Sequence, residues 1–115
     1  QRALQLMADM RDKGIPVTTI TYNATISACK NGGQWKRALQ LIKEMRAEGV
    51  RTDTITYNAT ISACEKGQQW ERALQLLDEM RFMGVPADTI TYSTAISACA
   101  KAGQWQRALR LMEDM

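Results

Sequence analysis

Apolar residues recur along this chain in two alternating patterns, and each pattern predicts a helix. In the first, from about residue 20 to residue 30, an apolar set is followed by the glycine-rich run 31–33, which ends the helix. In the second, from about residue 34 to residue 47, apolar residues recur at spacings of three and four and share one helix face. That face carries Trp35, Ala38, Leu39, Ile42 and Met45. The two patterns predict a helical hairpin, with Gly49 as a left-handed C-cap.

The hairpin is repeated with a period of 35 residues. The segment TITY begins at Thr19, Thr54 and Thr89, and an ISAC segment, a Trp and a Gly recur in step with it. A fixed period of this length is typical of a stack of identical units, each of which packs only on its neighbours. The sequence therefore predicts an all-α solenoid of tandem helix–turn–helix repeats instead of one globular core.

We expect one repeat array over residues 1–115, with seven helices. Residues 1–18 form a partial repeat that holds a second helix only. Residues 19–53 and 54–88 are complete repeats, and residues 89–115 are a repeat without its closing link. Neither end carries a polar capping repeat, which a free-standing solenoid needs, so we expect the array to be an excerpt of a longer one.

Charge and cysteine content limit the chemistry. The formal net charge is +3, from 15 Lys and Arg against 12 Asp and Glu, an excess too mild to argue for nucleic acid by itself. There is no His, and Cys29, Cys64 and Cys99 fall one per repeat, which predicts small buried side chains and neither disulfides nor a metal site. No apolar run approaches membrane-spanning length. With no nucleophile–base or acid pair, the sequence predicts a protein that is not an enzyme and has no cofactor, small-molecule substrate or membrane insertion.

The repeats resemble the pentatricopeptide repeat family, in its 35-residue P-type form. Residues 21–53 read TYNATISACKNGGQWKRALQLIKEMRAEGVRTD. This run is similar to the family's TYN opening, small-residue middle, AL and EM pairs, Gly and closing Asp. The sequence departs from the family at the three Trp positions, where an aliphatic residue is common, and at Thr52 and Ala87, where proline is usual. The resemblance covers the chain and implies a right-handed α-solenoid.

The same resemblance implies that the chain binds single-stranded RNA, one base per repeat. In the family, the fifth residue of each repeat faces the base edge and the last residue assists it. The fifth residues here are Asn23, Asn58 and Ser93, and the closing residues are Asp53 and Asp88. Asn with Asp favours uracil in the family, and Ser with Asp favours guanine. The implied RNA element is therefore 5′-U-U-purine.

Two further sets of residues have roles that the resemblance implies. The residues that correspond to those sandwiching successive bases are Ile20, Ile55 and Ile90. They stand three residues before the reading positions and so share a helix face with them. Lys66 and Lys101 correspond to a position that reaches the backbone phosphate, whereas the first repeat has Asn31 there and Lys30 beside it. Phosphate contacts carry affinity and salt dependence, without sequence preference.

Each of these residues also has a structural interpretation, which stays open. The aspartates are good N-caps for the following helices, the isoleucines suit a core, and the lysines suit the end of a helix. The Tyr and Trp columns are expected to pack between helices. A column of arginines and a column of acids in the second helices are expected to form weak ion pairs between repeats. The arginines are Arg2, Arg37, Arg72 and Arg107, and the acids are Asp9, Glu44, Glu79 and Asp114.

Two functions remain open. The first, implied by the resemblance, is a sequence-preferring RNA-binding module in organellar RNA processing, stability or translation, in a mitochondrion or chloroplast. The second is a protein-interaction scaffold or a structural subunit of a larger assembly, which the mild net charge allows. Stacking is worth roughly 1–3 kcal/mol per base, against association costs of about 4–15 kcal/mol. Three repeats alone are therefore expected to bind RNA weakly.

Overall fold

A computed structural model describes residues 2–115 and folds them into seven α-helices. In chain order these are α1 (Arg2–Asp12), α2 (Thr19–Asn31), α3 (Trp35–Ala47), α4 (Thr54–Lys66), α5 (Trp70–Phe82), α6 (Thr89–Lys101) and α7 (Trp105–Asp114). The first helices of the three repeats are α2, α4 and α6, and the other four are second helices. The predicted all-α solenoid of helical hairpins is confirmed.

The helices form two layers. In the inner layer, α4 packs against α2 on one side and α6 on the other. In the outer layer, α3 lies against α2 and α4, and α5 lies against α4 and α6. The molecule is elongated, with extents of 49 × 27 × 19 Å. Each repeat is therefore stabilised by its neighbours along the stack. Within residues 2–115, no helix is both long and apolar enough to cross a membrane.

Each complete second helix ends at a left-handed glycine. Gly49 has a φ of 73°, and its N–H donates to the Arg46 carbonyl at 3.2 Å. The next N–H, that of Val50, donates to the Met45 carbonyl at 2.8 Å. These two bonds satisfy carbonyl groups that the helix end leaves without intrahelical partners. The predicted left-handed C-cap at Gly49 is confirmed.

The turn inside each hairpin also uses a left-handed residue, but its identity varies. Gly33 and Gly103 have φ values of 71° and 76°, whereas the middle repeat places Gln68 there with a φ of 60°. Gly67, one residue earlier, has a different reason to be glycine. A Cβ at Gly67 would overlap the indole ring of Trp35, so the missing side chain makes room for that ring.

The core is made of apolar and small polar side chains from both layers. Tyr22 and Tyr57 are fully buried, which confirms the packing role expected for the tyrosines. The central helix α4 is buried on most sides because it contacts four other helices. The buried hydroxyl of Thr60 donates to the Thr56 carbonyl at 2.8 Å, which satisfies it within the helix. Burial raises the pKa of the Cys64 thiol to about 11, so it packs as a small neutral side chain, as predicted.

Ion pairs between the second helices of neighbouring repeats use predicted acids, but a different column of arginines. They are Arg11–Glu44 (3.0 Å), Arg46–Glu79 (2.5 Å) and Arg81–Asp114 (3.9 Å). The prediction that Arg72 and Arg107 supply this partner is wrong. Their guanidinium groups lie instead over the rings of Trp35 and Trp70 in the preceding repeat, 5.4 and 5.2 Å from the ring centroids. The side chain of Arg2 lies outside the described residues.

The difference has a simple geometric cause. An arginine in the last turn of a second helix, such as Arg46, reaches the acids of the following repeat. An arginine in the first turn, such as Arg72, faces the Trp of the preceding repeat. Trp35 and Trp70 pack against the core, which confirms their role as packing anchors. Trp105 remains 63% exposed, since within the described chain no repeat follows α7.

Candidate nucleic-acid interface

The predicted reading residues meet in pairs across neighbouring first helices. Asn23 lies near the start of α2, and Asp53 directly precedes α4. The Asn23 Nδ2 group donates to Asp53 Oδ1 at 3.1 Å. One repeat further on, Asn58 Nδ2 donates to Asp88 Oδ1, also at 3.1 Å. Both predicted pairs are therefore in direct contact, with the same atoms and the same distance.

The aspartates stand at these places because they cap helices. Asp53 Oδ1 accepts the Thr56 backbone N–H at 3.0 Å, and Asp88 Oδ1 accepts that of Thr91 at the same distance. Asp53 with Thr56, and Asp88 with Thr91, each form a capping box. The box satisfies helix N–H groups that have no intrahelical partner. The N-cap interpretation is confirmed, and it coexists with the contact to Asn.

Hydrogen bonding keeps both carboxylates charged. Burial disfavours the anionic form of Asp53 and would raise its pKa, but the hydrogen bonds from Thr56 and Asn23 outweigh burial, so the pKa is lowered. The pKa of Asp88 is lowered chiefly by the Thr91 N–H, with further contributions from the side chains of Asn58 and Thr91. A carboxylate can only accept hydrogen bonds, so each Asn must turn its amino group toward its Asp.

A threonine joins each pair, and the sequence did not single it out. Thr56 Oγ1 donates to Asn23 Oδ1, and Thr91 Oγ1 donates to Asn58 Oδ1. Both threonines are fully buried. We call the two sets, Asn23–Asp53–Thr56 and Asn58–Asp88–Thr91, the amide triads. In the sequence, each of these threonines stands three residues after an Asp, at the spacing of a capping box, and this spacing could have identified them.

The third reading position is present without its partner. Ser93 stands on α6 at the register that Asn58 has on α4, and its side chain is exposed. The closing position of this repeat falls after residue 115, so its pair is not part of this chain. The roles of all five reading residues therefore stay predictions. Two Asn–Asp pairs among them have side chains in direct contact.

The three isoleucines lie on the surface. Their exposed fractions are 80% for Ile20, 65% for Ile55 and 62% for Ile90. The core interpretation that the sequence left open is wrong for them, because their helix face points away from the second helices. Exposed aliphatic side chains in register are available for contact with a flat ligand.

A shallow groove runs over the inner layer between these side chains. It encloses a volume of about 280 Å³, and its lining includes Asn23, Lys30, Ile55, Asn58 and Ile90. We call it the reading groove. Both Asn side chains and two of the three isoleucines therefore share one surface, where amide groups lie between apolar walls. Ligand sites commonly combine apolar walls with a few polar groups that fix orientation.

The two predicted phosphate-contacting lysines differ in their surroundings. Lys101 forms an ion pair with Glu65 of the preceding repeat, and the Glu65 side chain is only 11% exposed. One repeat earlier, Lys30 stands at the position of Glu65 and Lys66 at the position of Lys101. Two like charges therefore take the place of the ion pair there. Lys66 is exposed. The phosphate role of Lys66 and Lys101 stays a prediction, and for Lys101 it competes with Glu65.

Family models match most of the chain. The model of the pentatricopeptide repeat domain matches residues 5–66. Two further models, for the PPR repeat family and the PPR repeat, match residues 52–101 and 90–115. No curated protein matches this chain in a sequence comparison.

Solved structures of repeat proteins are similar to this chain. The pentatricopeptide repeat protein PPR10 from maize has a TM-score of 0.88 and 32% identity, over 99% of this chain and 16% of that chain. PPR10 in complex with an 18-nt psaJ RNA element has a TM-score of 0.87 and the same identity, over 99% and 17%. The PPR domain of protein-only RNase P 1 from Arabidopsis thaliana, in complex with tRNA, has a TM-score of 0.86 over 99% of this chain and 61% of that chain. Its identity of 19% shows the fold alone. The chain spans about a sixth of the length of PPR10.

Proposed function

Because this chain belongs to the pentatricopeptide repeat family, we propose that it binds single-stranded RNA, one base per repeat, with the preference 5′-U-U-purine. The observation that carries the proposal is the pair of identical amide triads beside one groove. The 32%-identical PPR10 in complex with an RNA element supports the same class of ligand.

The chemistry of the triads suits uracil. Each Asn amide has two N–H donors and an oxygen with two lone pairs. One donor goes to Asp and one lone pair is taken by Thr, which leaves one donor and one acceptor side by side. Uracil offers N3–H as a donor between two carbonyl acceptors. A mismatched base would leave polar groups without partners, at a cost of about 1–3 kcal/mol each.

The third repeat differs because its reading residue is Ser93. A hydroxyl is shorter than an amide and leaves more room for a larger base. The resemblance to family members with Ser at this position is the support for a purine at the third nucleotide.

The isoleucines supply contact with the base faces. Ile55 and Ile90 border the reading groove and are mostly exposed, so a base placed between them would cover apolar surface on both sides. Covering apolar area is favourable whatever the base, so this contact adds affinity without sequence preference. In this proposal Ile20, Ile55 and Ile90 carry affinity, and the triads carry the base preference.

The phosphate backbone would lie along the exposed lysines. Lys66 is the stronger candidate, because Lys101 is already paired with Glu65. Lys30 lines the reading groove and adds a second cation beside the first two repeats. The proposed setting is organellar RNA processing, stability or translation, in a mitochondrion or chloroplast, and the proposed activity is binding without catalysis.

Fluorescence anisotropy of labelled RNA tests the proposal. The chain is titrated into short oligomers that differ only in the element U-U-G, C-C-G or A-A-G, at one fixed salt concentration. We expect weak binding overall and the highest affinity for U-U-G. Equal affinity for the three oligomers would reject the base assignment and favour a protein partner in the groove.

A further inference from the structure

We infer that Thr56 and Thr91 are positioning residues for base reading, each fixing the orientation of the Asn amide in the preceding repeat. The inference rests on the proposed function for its RNA consequence, while its structural part concerns the protein alone. By this inference, the side chains that recognise one base come from two neighbouring repeats. Asn23 and Asp53 belong to the first complete repeat, whereas Thr56 belongs to the second.

The geometry ties three groups to one another. Thr56 Oγ1 lies within hydrogen-bond distance of Asn23 Oδ1 and 2.9 Å from Asp53 Oδ1, and it also accepts the Asp53 backbone N–H at 3.1 Å. The second triad repeats these contacts with Thr91, Asn58 and Asp88. Since both hydroxyls are fully buried, water cannot replace these partners.

The distances indicate where the hydroxyl proton lies. Asp53 is an anion that already accepts the Thr56 N–H and the Asn23 amino group. The Thr56 hydroxyl has one proton and two oxygens within reach, and Asn23 Oδ1 lies closer to Thr56 Oγ1 than Asp53 Oδ1 does. The proton is therefore shared between the two oxygens, with Asn23 Oδ1 as the nearer acceptor. Asp53 and Thr56 then hold the two ends of the amide, and rotation by 180° would break both contacts.

A fixed amide can distinguish uracil from cytosine. At ring position N3, uracil is a donor and cytosine is an acceptor. At the same base position, the two pyrimidines therefore need opposite ends of the Asn amide. Holding the amide in one orientation favours one of them, whereas an amide free to turn suits both.

The chain contains internal controls for this contact. Thr60 is equally buried, but its hydroxyl donates to the Thr56 carbonyl and touches neither Asn. Thr21 holds the same repeat position as Thr56, and its hydroxyl contacts the backbone N–H and the hydroxyl of Thr18. Thr21→Val and Thr60→Val thus remove a hydroxyl without removing a contact to a reading residue.

The first experiment uses the protein without RNA. Side-chain ¹⁵N relaxation measures the order of the Asn23 and Asn58 amino groups in wild type, Thr56→Val, Thr91→Val and Thr60→Val. We expect Thr56→Val to loosen Asn23 alone and Thr91→Val to loosen Asn58 alone. Thr56→Ser keeps the hydroxyl, so the Asn23 amide should stay as ordered as in wild type. An Asn23 amide as ordered in Thr56→Val as in wild type would overturn the inference.

The second experiment measures base preference in the same variants. In Thr56→Val we expect the preference for U over C to fall about two- to tenfold at the first nucleotide, the size of one lost hydrogen bond, and to stay unchanged at the second. Thr60→Val should leave both preferences unchanged.

The outcomes separate the inference from the proposed function. An equal loss at both nucleotides would mean that Thr56 only supports the fold, which overturns the inference. If wild type binds U and C equally, the proposed function is rejected, and the relaxation data alone then decide whether Thr56 positions the amide.

Discussion

The two joints between repeats are alike at one end and different at the other. The first joint is where α2 packs on α4, and the second is where α4 packs on α6. At the start of these helices both joints carry an amide triad with the same three residue types and the same contacts. At the other end, the second joint has the Glu65–Lys101 ion pair, where the first has Lys30 and Lys66.

This difference distinguishes residues that serve helix packing and capping from residues whose role lies in the reading groove. The turn end carries an ion pair at one joint and two like charges at the other. The Lys101 side chain of that pair is 63% exposed, and ion pairs with a solvent-exposed partner contribute little to stability. The triad end does not vary, although Asn is a mediocre helix former and an N-cap needs only Asp. Packing and capping explain Asp53 and Thr56, but they do not explain Asn23. The repetition of Asn beside the groove is the part that the proposed function accounts for.

The largest expected effect on stability lies at the Trp contact of the first joint. Gly67→Ala would place a Cβ 2.3 Å from Cδ1 of Trp35, and we expect the free energy of unfolding to fall by about 1–3 kcal/mol through overpacking. Urea unfolding followed by circular dichroism measures this loss. The second joint has Ala102 at the equivalent position, so Ala102→Gly is the matched control and should cost less. Equal stability of wild type and Gly67→Ala would contradict the packing account.

A smaller effect concerns charge at the turn end. Lys30→Glu would give the first joint the charges of the second, facing Lys66 as Glu65 faces Lys101. We expect a gain of about 0.2–1 kcal/mol in stability that disappears at high salt, together with weaker RNA binding because a groove cation is lost. Urea unfolding at low and high salt and RNA titration check the two parts. Glu65→Lys should do the opposite to stability at the second joint, and a change of the same sign in both variants would refute the comparison.

The smallest expected effect is the acid response of the triads. The pKa of Asp53 is lower in the folded protein than in the unfolded chain. Its contribution to stability is therefore fully present above the unfolded value of about 3.9 and is lost as pH falls through the folded pKa. In Asp53→Asn this contribution cannot titrate, so the stability difference between wild type and variant should shrink on acidification below about pH 4. A difference that is constant with pH would show that Asp53 is not held as an anion by its neighbours.

Much of the fold could be predicted from the sequence because the period is explicit. The seven helices begin and end within about two residues of the predicted places, since glycines and capping residues mark the ends. The arginine partners could not be predicted in this way. Arg46 and Arg72 both belong to columns with the same period, so periodicity cannot tell which column reaches the acids. That choice depends on how successive helices cross.

The candidate site was predicted only in part. The resemblance pointed to Asn23 and Asp53, and the structure brings them into contact. Thr56 was missed because Thr is common in these helices and its role requires a neighbour 33 residues earlier in the chain. Long-range hydrogen bonds of this kind leave no local pattern in a single sequence.

The most direct test of the central claim is to change one reading pair and leave the other intact. The affinities of wild type and the double variant Asn58→Thr with Asp88→Asn are measured for oligomers carrying U-U-G, U-A-G and A-U-G. Because adenine presents an amino donor beside an acceptor nitrogen, the variant is expected to prefer U-A-G over U-U-G, by roughly fivefold or more if mismatched groups cost about 1–3 kcal/mol. Its preference for U at the first nucleotide, read by Asn23 and Asp53, should remain. A variant that keeps the base preferences of wild type at both nucleotides would contradict the assignment of one amide triad to each base.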